Sequence, residues 1–197
     1  MFPIISWLIF AAYGAACVFY WRGFFHDRHK DYQWAQVFFV TALIGHLAFI
    51  IYFILRLGRV PVATVSETLG TFVWLTACIY WILEKRLKNH SMSAFILTIL
   101  AVILAVGNAT FSENDRIAEI LQDIKFELHV LTLLVAYGAF AISFIASLLH
   151  TFLNREIQKR RFRVFYSRLP SLPFFERISN AAIDIGLVFA TIGMAIG

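Results

Sequence analysis

Residues 58–74 read GRVPVATVSETLGTFVW: a glycine, an arginine and a proline, then one carboxylate, Glu67, at the mouth of a long apolar run. The stretch closes one apolar segment and opens the next, so its reading decides how the chain is laid out. Thr64-Val65-Ser66-Glu67 has capping-box spacing, in which an N-cap threonine and a glutamate three residues on satisfy backbone N–H groups that the first helical turn leaves open. The spacing predicts a helix that starts here and runs through Trp74. A carboxylate at the lip of so apolar a run raises a second question, namely what else it faces.

The chain around this stretch has 197 residues, 60% of them apolar and 15% charged, against roughly 25% charged in a soluble domain. With 21 phenylalanines and a mean hydropathy of +0.76, it has no polar surface to present to water on all sides, and it reads as an integral membrane protein. The net charge of +5 is no nucleic-acid signal, because the basic residues fall in loops between apolar spans rather than along one stripe. Cys17 and Cys78 lie inside apolar segments without a CxxC pattern and read as small buried hydrophobes.

Six apolar segments, about 3–21, 33–55, 67–84, 92–110, 129–153 and 179–197, are each near the roughly 20 residues that cross a bilayer as a helix. The expected fold is therefore all-α: a polytopic helical bundle of six transmembrane helices forming a single membrane domain over residues 1–197. Thirteen of the seventeen lysines and arginines fall in the loops after spans one, three and five. Only Arg56, Arg59, Arg116 and Lys125 lie on the other side, so the positive-inside rule puts both termini on the extracytoplasmic side, and the expected location is the cell's inner (plasma) membrane. The outer segment FSENDRIAEILQDIKFEL (111–128) spaces Ile117, Ile120, Leu121, Ile124 and Leu128 at helical intervals between acids. It predicts an amphipathic helix over about 114–127 lying in the interface.

Ionisable groups inside a membrane are costly, so the histidines sort by depth. His26, His29 and His90 read as solvated at the inner side, and His150 as interfacial. His46 lies mid-span and reads as a buried imidazole bonded to a neighbouring helix. His129 opens span five at the outer end, with the acidic connector, Glu67 and the Pro61 loop at similar depth and Trp74 a little deeper. At 1.5 Å rise per residue, His46 differs from His129 and from His150 by roughly 15 Å in depth, so no two of them clamp one porphyrin within a chain. One imidazole at an outer pocket is a candidate for one axial ligand of a haem whose other ligand comes from elsewhere.

Three stretches then resemble a known family, the integral-membrane cytochrome c assembly proteins of the CcsA/ResC type with the related HemX-like proteins. GRVPVATVSETLGTFVW (58–74) is similar to the family's segment of a proline, a few residues, a glutamate and an aromatic-rich helix. ELHVLTLLVAYGAF (127–140) is similar to its outer helix-end histidine followed by a tyrosine, here Tyr137. RLPSLPFFERISNAAIDIGLVFATIGMAIG (168–197) resembles its Leu-Pro linker and glycine-containing helix. The resemblance implies handling or presentation of a haem, b-type while held here, at the extracytoplasmic face, for an apocytochrome c whose cysteines add to the vinyl groups. It makes His129 the first of the family's external histidines, a ligand to the haem iron, and puts Glu67 and Trp74 in the wall beside it. The chain reaches Gly197 before the family's tryptophan-rich haem segment, so the expected partners include a further membrane part or subunit, and synthase activity is not expected of this chain alone.

In the last span Gly186, Gly193 and Gly197 permit close helix contact, either inside the bundle or toward a partner, and Asp184 needs a hydrogen-bonding neighbour. The basic loop NREIQKRRFRVFYSRLP suits anionic lipid headgroups. Two other functions compete: a HemX-like membrane regulator or scaffold without tightly bound haem, and a small transporter. The latter would want paired intramembrane charges or an inverted repeat.

Overall fold

The helices end where the sequence supplies a cap or a left-handed residue. The computed structural model describes residues 2–111, 123–160 and 164–197. These form α1 (Phe2–His26), α2 (His29–Leu57), α3 (Val65–Leu87), α4 (Ser93–Ala109), α5 (Ile124–Gln158), the short α6 (Val164–Arg168) and α7 (Leu172–Ile196), with no strand among the described residues. Gly58, at φ 69°, closes α2 and donates its N–H to the Ile54 carbonyl at 2.8 Å, a left-handed cap that costs glycine no Cβ clash. Thr64 is extended, and its Oγ1 accepts from the Glu67 N–H at 3.3 Å, which starts α3 where the capping box places it. Asp123 caps α5 by accepting from the Lys125 N–H at 2.7 Å, and Pro173 sits in the first turn of α7, where its missing N–H costs nothing.

Each long helix except α4 overruns the apolar segment that predicts it, because polar flanking residues remain good helix formers and only a cap stops them. α5 starts at Ile124 rather than 129, and α7 at Leu172 rather than 179. Of the expected interfacial helix over 114–127, residues 112–122 lie outside the described residues, and 124–127 belong to the first turn of α5. Five helices are long and apolar enough to cross a membrane. α4, an apolar helix of 17 residues, is shorter at about 25 Å.

The packing order differs from the chain order. α1 lies between α2 and α4, α4 between α1 and α3, and α5 joins α3 to α7. Tyr13, Tyr20, Phe39 and Phe175 are fully enclosed among these helices. Two seams depend on missing side chains. A Cβ on Gly138 of α5 would fall 2.5 Å from Thr76 Oγ1 of α3, and one on Gly186 of α7 would strike the Phe140 ring of α5. Gly193 likewise lies against Leu133 and Thr132 of α5. The glycines of the last helix thus serve contact inside the bundle, the first of the two roles the sequence leaves open.

Gly138→Val and Gly186→Val should each cost about 1–3 kcal/mol by overpacking, read as a lowered unfolding temperature in detergent. Gly14 has open space around its Cβ direction, so Gly14→Ala should be neutral or stabilise by up to about 1 kcal/mol through helix propensity.

Candidate functional site

A loop at a membrane surface must satisfy its peptide groups from neighbouring side chains wherever water is excluded. Residues 58–64 do so through α3 and α5. The Val60 N–H donates to Glu127 Oε1 at 3.1 Å and the Ala63 N–H to Glu67 Oε2 at 3.0 Å. The Val62 carbonyl accepts from Thr68 Oγ1 at 3.0 Å and the Pro61 carbonyl from Thr71 Oγ1 at 2.6 Å. Across this frame Arg59 grips Glu67 with two parallel N–H···O bonds, both 2.7 Å, with side chains only 7% and 10% exposed. The hydrogen bond to Glu67 outweighs the burial of Arg59 and raises the guanidinium pKa further above its ordinary value. Glu67 therefore does more than the capping box asks: its carboxylate turns away from the Thr64 N–H to hold Arg59 and Ala63.

Beneath the loop a crevice of about 580 Å³, counted to its open mouth, runs between the ends of α1, α2, α3 and α4. Trp7, Phe49, Phe53 and Phe111 line it with Pro61, and its polar groups are Ser6, His46, Ser66, Glu67, Thr71 and Asn108. Ser6 Oγ donates to Asn108 Oδ1, while Asn108 Nδ2 is buried without a partner among the described residues. His46, 3% exposed, approaches Tyr13 Oη through Nδ1 at a long 3.5 Å. Its Nε2 points at Gly70, where a Cβ would lie 3.8 Å away. The expected bond from His46 to a neighbouring helix is thus present but weak, and the imidazole edge faces a cavity.

The three residues singled out in the sequence do not share that cavity. Glu67 lines it. Trp74 belongs to the contact between α2 and α3, where its Nε1 donates to the Leu43 carbonyl at 3.1 Å. His129 stands on the opposite side, half-buried between α5 and α7, with Nδ1 2.8 Å from the Gly193 carbonyl. A carbonyl only accepts, so Nδ1 carries the proton and Nε2 keeps its lone pair. Metal-binding histidines are usually oriented in this way, with the second nitrogen donating to a carbonyl or carboxylate.

Three buried acids were missed, Asp31, Glu84 and Glu127. Glu127 reads in sequence as part of the acidic connector, yet it is 4% exposed and ties the loop to α5. Glu84 sits in YWILEKRLK and reads as part of a basic loop, but it is enclosed near the C-terminal end of α3. There Oε2 accepts from Tyr20 Oη at 3.1 Å, and Oε1 accepts from Ser93 Oγ at 2.7 Å. His90 Nδ1 lies 2.8 Å from the same oxygen, and its ring stacks on Tyr32. His90 is therefore bonded and partly covered rather than solvated. A four-residue step from Tyr80, whose Oη meets Ser93 Oγ at 2.8 Å, is the signal that places Glu84 on an inward face. His150 pairs at 3.3 Å with the exposed Glu176, as an interfacial residue can.

Arg59→Met should leave Glu67 enclosed without its cation and cost about 3–5 kcal/mol. The double substitution Arg59→Met/Glu67→Gln should be less damaging than the two single costs summed, with a coupling of at least about 1 kcal/mol in a thermal-unfolding cycle.

Comparison with known proteins follows the same geography. The family described as cytochrome C assembly protein matches residues 62–197, from the loop before α3 through α7. The chain is 22% identical over 190 residues to Protein HemX of Bacillus subtilis (strain 168), covering 94% of this chain and 68% of that one. It is 24% identical over 187 residues to Protein HemX of Brevibacillus brevis, with the same coverage. No solved structure matches it. Because the family match takes in more than two-thirds of the chain, including the Glu67 frame, the His129 helix end and the glycine-bearing last helix, the protein belongs to the cytochrome c assembly family.

Proposed function

We infer that, within the cytochrome c biogenesis role its family carries, this chain handles haem at the extracytoplasmic face of the inner (plasma) membrane, with His129 as its ligand to the iron. The observation that carries this reading is the imidazole held by the Gly193 carbonyl with Nε2 left as a free acceptor. When bound, the haem supplies the vinyl groups on which an apocytochrome's cysteines add. The chain's own contribution is to fix one imidazole at a helix end and to hold the neighbouring loop rigid through Arg59, Glu67 and Glu127. A further ligand to the iron would come from another membrane part or subunit, and the same division of labour would leave synthase activity to the assembly rather than to this chain.

The proposed topology has six crossings with both termini outside. The lysine and arginine asymmetry supports it, as does the placement of the short α4 between two long helices. In a background with both cysteines replaced, Val65→Cys should react with an impermeant maleimide on intact cells and Arg86→Cys only after lysis. The reverse pattern would invert the chain.

A specific observation favours a second reading, in which haem enters the aromatic crevice and His46 Nε2 meets the iron. Absorption spectra of the purified protein, oxidised and reduced, decide between the two. We expect a b-type signal that His129→Ala weakens at least about tenfold in haem affinity, with His46→Ala unchanged and added imidazole restoring His129→Gly. Loss with His46→Ala alone would move the haem into the crevice. No haem in any sample would favour a membrane regulator or scaffold.

A further inference from the structure

The crevice between α1, α2, α3 and α4 sets narrow terms for a guest. Phe49, Phe53 and Phe111 line it with Trp7, which is 45% exposed beside the exposed Ile4 and Leu8. Its mouth at Trp7 therefore adjoins an apolar surface, which suits entry from a bilayer rather than from water. No lysine or arginine lines the crevice, and its one carboxylate is Glu67. Arg59 already neutralises that carboxylate through two 2.7 Å bonds. A cationic guest finds no free anion here and an anionic guest no free cation, so the lining suits an uncharged molecule.

Two hydrogen-bond donors of the lining are unmet. Tyr13 is fully enclosed, and the one hydrogen-bond partner of its Oη among the described residues is His46 Nδ1, at 3.5 Å. An enclosed hydroxyl turns its proton to the acceptor available, so Nδ1 accepts and a neutral ring carries its N–H at Nε2. That N–H meets no acceptor among the described residues, and Gly70 of α3, beside it, has no side chain to cover it. The second donor is Asn108 Nδ2 on α4, buried without a partner among the described residues while Ser6 occupies Oδ1. α2 and α4 do not pack on each other, so the two donors stand on separate walls of the crevice. In this tautomer His46 Nε2 offers iron no lone pair, and the propionates of a haem would bring negative charge to a lining without a cation.

We propose that the crevice is a binding site for a membrane quinone. The flat, uncharged ring lies among the aromatic side chains, one carbonyl accepting from His46 Nε2 and the opposite carbonyl from Asn108 Nδ2, and the apolar tail leaves past Trp7 into the lipid. A phospholipid also brings carbonyls, but its esters sit together at one end of the molecule, and its chains have no ring to stack on Phe49, Phe53 or Phe111. Gly70 keeps open the space that the ring needs over His46. The site is separate from His129, which stands on the opposite side of the bundle between α5 and α7, so this proposal and the haem reading can fail independently.

The test is titration of the detergent-purified protein with a short-tailed prenyl benzoquinone and the matching naphthoquinone, followed by quenching of tryptophan fluorescence. At least one of the two should quench saturably, and neither the prenyl alcohol of the same tail, nor phospholipid, nor haem should displace it at equal concentration. Gly70→Leu fills the space of the ring and leaves both donors in place. It should weaken quinone binding at least about tenfold without lowering the unfolding temperature. Asn108→Leu and His46→Phe should each weaken it about threefold to tenfold, the loss of one hydrogen bond. Absence of saturable quenching, displacement by the alcohol, phospholipid or haem, or an affinity that Gly70→Leu and Asn108→Leu both leave unchanged would each overturn the proposal.

Discussion

The Arg59–Glu67 pair is the interaction on which the α2–α3 end of the molecule depends. The turn from α2 to α3 folds its peptide groups against side chains of α3 and α5. One carboxylate answers several needs at once: it neutralises an enclosed guanidinium in the bidentate geometry that Arg and carboxylate share, it accepts from Ala63, and its own residue's N–H is capped by Thr64. Glu127 repeats the device from α5. The loop is thereby a fixed wall over the crevice.

Much of the helical layout was legible in the sequence because apolar periodicity is a long-range average that single residues do not upset. The start of α3 was readable from Thr64 and Glu67 alone. The site was harder. Glu67, Trp74 and His129 are close in depth, and depth is all that residue counting yields. Their azimuths place Trp74 against Leu43, His129 against Gly193 and only Glu67 at the crevice. Azimuth depends on which helices neighbour each other, and the order that sets α4 between α1 and α3 is not written in any short motif. Glu84 and Glu127 were missed for a related reason: each stands among charged residues in sequence, and only its helical face takes it inside.

The histidines illustrate how environment assigns roles to one side chain. His90 joins a hydrogen-bonded carboxylate at the inner end, His150 pairs with an exposed glutamate, His46 borders an apolar crevice, and His129 is oriented by a carbonyl. Among the described residues no three metal-binding side chains cluster.

α3 carries an enclosed carboxylate near each end. Glu67 is bolted to the outer loop, and Glu84 to α1 and α4 through Tyr20 and Ser93, with 17 residues, or about 25 Å, between them. A rod pinned at both ends neither slides nor rotates. The second of these pins holds α1 only near its inner end, while α2 touches α3 lightly. The α3 wall of the crevice is thereby fixed near both its ends, and the facing end of α1 is tied to α4 through Ser6 and Asn108.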